Sequence, residues 1–406
     1  MSFKDILCRK IFCFLAKKIK TGYLTVTIPA ENKLLKFGNP DSEPHADITI
    51  LDQSFFVDAV TQGDWGMGWA YVRKKWDSPN IKNVCLIFML NERILRPYIK
   101  LAMRLSPTMN KIRYEIANYQ SSKLDMQAKT ISQCYDIGDN FFKWMLGPSM
   151  TYTCAIWPNH DIPLEVAQEN KFRLLCDKAR IESHHRVLDI GCGYGALCNY
   201  IQKNTGAKVK GIALSHEHIA WSKKNYPQIE FEYLNYQNLT GMYDRIVSVE
   251  MAEHVGPENF DNFLKIISDH LNPGGRFVLH MMSSYEDILT LDEKERWTSF
   301  ASVAMPNGNV TSIAKAVSSA IKTGTLRIIH TETLNIHYAR TLLEWINNIT
   351  KNKEEIINEF SEDIYRIYYY SWFMGLAALE AGFTLVQIIF EKKPYGSDYR
   401  ESLYWR

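Results

Sequence analysis

The segment Arg186-Val-Leu-Asp-Ile-Gly-Cys-Gly-Tyr-Gly195 joins a short apolar run, the carboxylate of Asp189 and three alternate glycines, Gly191, Gly193 and Gly195. It reads as a buried strand that breaks into a tight turn. Glycine admits positive φ and puts no Cβ in a ligand's way, and the helix expected from Ala196 to Lys203 turns its positive end toward any anion there. The spacing is G-x-G-x-G rather than the G-x-G-x-x-G of a dinucleotide turn, which favours S-adenosylmethionine over NAD. Glu253 and His254 follow a second apolar run, and His280 lies inside a third. A carboxylate and an imidazole on neighbouring strand ends could bind a small anion, although singly the acid could be a helix cap and the histidine a satisfied core residue. Cys154 could be no more than a small hydrophobe, so its main chain is expected to matter more than its thiol. The run Tyr365-Arg-Ile-Tyr-Tyr-Tyr-Ser-Trp-Phe373 could offer aromatic faces to a cation, or fill the core of a buried helix.

The elements that must position these groups alternate. Strands are expected at 186–190, 208–214, 229–234, 243–250 and 276–282, with helices at 196–203, 216–225 and 258–271. Pro257 opens the last helix and Asn272-Pro-Gly-Gly275 closes it. This is a doubly wound α/β pattern. In the usual strand order 3-2-1-4-5 the first, fourth and fifth strands are neighbours about 4.8 Å apart, so Gly191, Glu253 and His280 face one crevice. An amphipathic helix, Leu164 to Ala179, leads into the glycine strand. Ahead of it, Tyr135–Phe142 and Met150–Trp157 could fold over the mouth as a lid. A strand pair is expected at 326–337 and 383–390, after an excursion at 283–325.

With 406 residues, 46% of them apolar, the chain can bury a large core and divides into more than one domain. A net charge of +2 does not announce a nucleic-acid partner. The eight cysteines include no C-x-x-C pair, which suggests neither a metal site nor a disulfide framework and points to a reducing cytoplasm. No apolar run reaches the roughly 18–20 residues of a membrane span. Residues 1–20 read as a basic amphipathic helix. Its apolar positions include Phe3, Ile6, Leu7 and Phe12, and its six lysines and arginines face one acid, Asp5. It could lie on anionic headgroups or dock on its own domain. Alternation in 23–28 and 46–51 marks a small α+β domain over 21–100, in which Gly63–Tyr71 suggests packing rather than chemistry. A helical connector is expected at 101–130.

Taken in order, Tyr152-Thr-Cys-Ala-Ile-Trp157, Val187–Gly195, Arg245-Ile-Val-Ser-Val-Glu-Met-Ala-Glu-His-Val-Gly256, Leu279-His280 and His337-Tyr-Ala-Arg-Thr-Leu342 resemble the cyclopropane-fatty-acyl-phospholipid synthase family over roughly 130–392. The resemblance implies a class I methyltransferase-like domain at 131–395 behind a lipid-carrier-like domain at 21–100. It implies methyl transfer from S-adenosylmethionine to the cis double bond of a phospholipid acyl chain, then loss of a proton to close a cyclopropane ring. A bicarbonate ion would be the base, held by Cys154, Glu253, His280 and Tyr338 with backbone near Met282. The cofactor would lie against Tyr152, Thr153, Asp189, Gly191, Cys192, Gly193, Gly195, Leu214, His218, Tyr236 and Gln237. Of the adjacent pair, the resemblance selects Glu253 over His254.

The chain also departs from the family pattern. Ala213 and His218 stand where Thr and Gln usually meet the ribose, Asn235-Tyr236-Gln237 replaces Asp-Tyr-Arg, and Ala252 replaces a common Phe. Cys134 replaces a frequent His, and Phe373 falls where many members carry a cysteine. The expected setting is cytoplasmic and peripheral to a membrane surface, with no nucleic acid and a homodimer left open. Plant alkaloid N-methyltransferases of the coclaurine type look similar around Ser248–His254, so an amine N-methyltransferase is the alternative. An acyl C-methyltransferase giving a methyl branch, or a lipid-binding protein with a decayed cofactor site, also stays open.

Overall fold

The computed structural model describes residues 3–104, 137–159, 161–284, 300–304 and 310–393. Along the first part run α1 (Phe3–Ala16), β1 (Tyr23–Ile28), β2 (Lys33–Gly38), β3 (His45–Ile50), α2 (Phe55–Val72), β4 (Trp76–Asp77), α3 (Ile81–Leu90) and α4 (Glu92–Arg104). Then come α5 (Asp139–Leu146), α6 (Leu164–Ala179), β5 (Arg186–Ile190), α7 (Ala196–Thr205), β6 (Lys208–Ala213), α8 (His216–Asn225), β7 (Glu230–Tyr233) and β8 (Tyr243–Val249). The remainder holds α9 (Phe260–His270), β9 (Leu271–Ser284), α10 (Ala301–Ala304), α11 (Ile313–Thr323), β10 (Leu326–Thr333), α12 (Asn335–Lys351), α13 (Lys353–Glu359), α14 (Glu362–Glu380) and β11 (Phe383–Lys392). Cys134, Tyr135 and the connector beyond Arg104 lie outside the described residues.

The described residues form two compact units. One comprises 3–104, 300–304 and 342–383, and the other 137–284, 310–341 and 384–393. The stretch 342–383, expected inside a continuous 131–395 domain, therefore packs with the first unit. The reason is aromatic. The Tyr370 ring stacks on Tyr71 at 5.3 Å and meets Phe300 edge-on at 5.1 Å, and the Arg366 guanidinium lies 3.9 Å from the Tyr71 ring centre. Tyr368, Tyr370 and Trp372 are buried, so this part of the aromatic run serves as core of the first unit.

In that unit β2-β1-β3-β4 form a sheet whose inner face presents Leu24, Val26, Ile28, Ala46, Ile48 and Ile50. The alternation read from the sequence is this face. α1 docks by Cys8, Phe12 and Ala16, with the Phe12 ring 5.6 and 5.3 Å from Phe55 and Phe56. α2 bends where Gly63 leaves helical geometry, and a Cβ on Gly68 would stand 2.2 Å from the Phe300 ring. Packing accounts for these glycines.

The second unit is built on a seven-stranded sheet of order β7-β6-β5-β8-β9-β11-β10. β5 pairs in parallel with β6 and β8, β6 with β7 and β8 with β9, while β10 and β11 pair antiparallel. The central strands are apolar on both sides because both faces are covered. α9 and α11 bring Phe260, Phe263, Leu264, Ala316 and Ala320 to one face; α6 and α7 bring Phe172, Leu175, Leu197 and Ile201 to the other. Register pairs Asp189 with Val247 and Val249 with His280, so β5, β8 and β9 end along one edge. β9 begins at Leu271 rather than at 276, because Leu271 already pairs with Tyr243 before a register shift takes up the Asn272–Gly275 turn.

Candidate functional site

At the carboxyl edge of β5 the glycine loop opens an accessible cleft of about 90 Å³. Tyr152, Thr153, Asp189, Gly191, Cys192, Gly193 and His218, all expected at the cofactor, line it together with Lys171, Tyr194 and Glu250. Gly191 and Gly193 take positive φ, +84° and +50°, and Gly195 begins α7 at +79°. A Cβ on Gly193 would meet nothing within 4 Å, so that glycine leaves space open in the loop. Gly195, Leu214, Tyr236 and Gln237 are not among the lining residues. Tyr236 packs edge-on against Phe263 at 5.2 Å, which draws it into the core beneath α9. His218 is buried against the Tyr194 ring at 4.4 Å, and burial lowers it to about 4, so its imidazole is neutral.

The other wall is the segment Met150–Thr153. Gln168 donates to the Thr153 carbonyl at 2.8 Å, while Ala155 N and Trp157 Nε1 both donate to Thr341 Oγ1 at 3.0 Å. α6 and α12 thus clamp this segment from two sides. Lys171, on the inner face of α6, donates to Thr153 Oγ1 at 2.5 Å, and burial lowers it to about 8.

The four residues expected to cradle an anion are all buried: Cys154 and His280 are 0% exposed, Glu253 is 3% and Tyr338 is 4%. Three of them converge on a second carboxylate, that of Glu250. Cys154 N donates to Glu250 Oε1 at 2.7 Å, and the Tyr338 hydroxyl donates to the same carboxylate. His280 Nε2 lies 3.3 Å from Oε1, a close contact without the alignment of a full hydrogen bond. The Cys154 thiol is pushed far up by burial and then by Glu250, so the main chain is what Cys154 offers.

Met282 N, expected to complete the cradle, donates instead to Glu253 Oε1 at 2.6 Å. Burial first, then the charge of Glu250, raises Glu253 to about 8. Glu253 is therefore a neutral acid at pH 7, and its Oε2 makes no hydrogen bond.

The state of His280 follows from a chain of donors. Lys178 Nζ donates to Gln387 Oε1 at 2.5 Å, so the Gln387 amide nitrogen faces His280 Nδ1, 3.1 Å away. An amide nitrogen only donates, which leaves Nδ1 as acceptor and puts the ring proton on Nε2, toward Glu250. Burial keeps the imidazole below its usual range and hence neutral.

Residues 122–387 match the family model for mycolic acid cyclopropane synthetase. The chain belongs to this family. It is 30% identical over 353 residues, 86% of this chain and 88% of the relative, to the cyclopropane-fatty-acyl-phospholipid synthase of Escherichia coli K12. Among solved structures, the cyclopropane synthase MmaA2 from Mycobacterium tuberculosis is similar with a TM-score of 0.61 and 27% identity, covering 65% of this chain and 98% of that one. Mycolic acid cyclopropane synthase CmaA1 complexed with SAH and CTAB gives 0.60 at 26% identity, covering 66% and 98%. The doubly wound sheet is that of the class I methyltransferases, as expected.

Glu250, Lys171 and Gln387 are the residues that reading the sequence missed. Lys171 had a signal: with Leu164, Ala167, Gln168 and Leu175 it falls on the apolar stripe of α6, where a cation must find a partner. Glu250 had a weaker one, an acid closing an apolar strand. Gln387 had none.

Proposed function

We propose that this chain transfers a methyl group from S-adenosylmethionine to the cis double bond of an unsaturated phospholipid acyl chain and, after loss of a proton, leaves a cyclopropane ring. The observation that carries this reading is that the glycine loop and a buried carboxylate, held by Cys154 N and the Tyr338 hydroxyl with His280 Nε2 3.3 Å away, line one cleft. The space left at Gly193 and the N-terminus of α7 fit the cofactor, with Tyr152, Thr153, Asp189 and His218 around it. When bound, S-adenosylmethionine supplies an electrophilic methyl group on a sulfonium. The chain's task is to align a weak nucleophile with it and to exclude water, which would capture a carbocation.

A bicarbonate ion does not fit this cradle. Its expected donors, Cys154 N, His280 and Tyr338, are directed at Glu250, and Met282 N is taken by Glu253. A second anion about 4 Å from the carboxylate would be repelled by roughly 4 kcal/mol at the effective dielectric of such sites.

The substrate reaches the enzyme from a lipid surface, and α1 supplies the adhesion. Phe3 is 82% exposed and Ile6, Leu7 and Phe14 are also exposed, beside Lys4, Lys10 and Lys17. Exposed apolar side chains among lysines suit an anionic bilayer surface. Among the described residues no helix is long and apolar enough to cross a membrane.

The test is incubation with methyl-labelled S-adenosylmethionine and vesicles of cis-unsaturated phospholipid. Mass spectrometry should find acyl chains one CH₂ heavier, and proton NMR the high-field resonances of a cyclopropane. A methyl branch would transfer the reading to the C-methyltransferase alternative. Label moving only to amines would transfer it to the N-methyltransferase.

A further inference from the structure

Glu250 combines three features that a purely structural residue has no need of. It is the residue after β8, its φ of +48° lies in the left-handed region, and its side chain is only 7% exposed. A non-glycine residue held at such a φ costs on the order of 1–3 kcal/mol and marks sites where the conformation is used. The conformation here turns the strand end inward, so that Glu250 N donates to the His280 carbonyl at 2.7 Å while the carboxylate meets Cys154 N, Tyr338 and the Nε2 face of His280. Two donors and an imidazole in close contact, from three separate segments, thus hold one carboxylate at the wall of the cofactor cleft.

We infer that Glu250 is the general base of the reaction, a carboxylate built into the chain in the place where a free anion would otherwise be bound. The inference rests on the cyclopropanation reading. In the step concerned, a C–H bond of the transferred methyl group breaks. Its electron pair closes the third ring bond onto the cationic carbon, and the proton goes to a Glu250 carboxylate oxygen. Charge and atoms balance with no further reactant. A carbocation is so strong an acid that its proton needs a well-placed acceptor more than a strong one, and these contacts provide the placing. The neighbouring Glu253 and His280 are both uncharged at pH 7.

The experiment has a binding arm and a turnover arm, both on the full chain. In the binding arm, excess bicarbonate at fixed pH is added to wild type and to Glu250→Gly, and melting temperature and the ¹³C-bicarbonate line width are followed. The glycine variant relieves the backbone strain and vacates the cradle. Bicarbonate should leave wild type unchanged and stabilise Glu250→Gly. In the turnover arm, wild type should be indifferent to bicarbonate depletion. Glu250→Gln, which keeps the shape and an acceptor, should lose about 10²- to 10⁴-fold in turnover while S-adenosylmethionine affinity stays within about threefold. Glu250→Gly should recover about tenfold or more on adding bicarbonate or formate. Bicarbonate binding by wild type, loss of wild-type turnover on depletion, or full turnover by Glu250→Gln overturns the inference. If wild type forms no ring product, the functional reading fails by itself, and the binding arm still decides whether Glu250 holds the cradle.

Discussion

Adding a single methyl group at Gly191 and, separately, at Gly193 should pull folding and cofactor binding apart. Both glycines sit at positive φ, so alanine at either costs about 1–2 kcal/mol of backbone strain. The surroundings differ. At Gly191 the new Cβ would stand 2.5 Å from Met251 Cγ and 2.6 Å from its Cβ, atoms too near the backbone to swing aside. Overpacking of this kind adds about 1–3 kcal/mol. At Gly193, which lines the cleft, nothing lies within 4 Å of the added methyl group. Gly191→Ala should therefore melt roughly 2–12 °C below Gly193→Ala, given the usual few degrees per kcal/mol in a domain of this size. Gly193→Ala should instead lose about tenfold to hundredfold in S-adenosylmethionine affinity, the effect of a misplaced methylene. Differential scanning fluorimetry reads the first quantity and titration calorimetry the second. Equal melting temperatures, or wild-type affinity in Gly193→Ala, would refute the assignment of the cleft.

The protonated state of Glu253 has a sign that can be checked. The folded chain holds a proton up to about 8 that the unfolded chain releases near 4.5, so wild type should lose stability relative to Glu253→Gln as pH rises between those values, by at most about 1.4 kcal/mol per pH unit, and no further above them. A difference in melting temperature that ignores pH would show that Glu253 is not buried as a neutral acid. Gln387→Leu keeps the volume but frees His280 Nδ1. The expected cost of about 1–3 kcal/mol should appear as a five- to hundredfold loss of turnover with cofactor affinity intact. Unchanged turnover would remove the imidazole's orientation from the mechanism. On α1, serine at Phe3, Ile6 and Leu7 together should weaken binding to anionic vesicles without lowering the melting temperature, whereas Phe12→Ala, buried on Phe55 and Phe56, should destabilise by about 3–5 kcal/mol. Vesicle binding by the triple variant equal to wild type would leave α1 only a structural part.

The sequence alone determined the parts whose signal is local. The period of apolar residues marked β5 through β8 and the helices between them, because a strand or helix writes its own burial into neighbouring positions. The three glycines marked the cleft, since a turn at positive φ with room for a ligand admits little else. Strand order came from the usual arrangement of doubly wound sheets, and with it the shared edge of β5, β8 and β9. The aromatic run on α14 was open between core and site for the converse reason. Its spacing shows only that a helix is apolar, and Tyr71 and Phe300, far away in sequence, drew Tyr370 into the first unit.

Which carboxylate occupies the crevice was decided by tertiary structure. Glu250 and Glu253 are three residues apart, and only the left-handed turn at Glu250 sends one toward Cys154, His280 and Tyr338 while the 3-10 turn after it sends the other to Met282 N. The tautomer of His280 depends on Gln387 from β11, 107 positions along the chain from the ring, and on Lys178 from α6, 209 positions from Gln387. Hydrogen-bond direction at a buried site is set by whichever groups the packing brings within about 3 Å, and no short-range pattern in the chain records that.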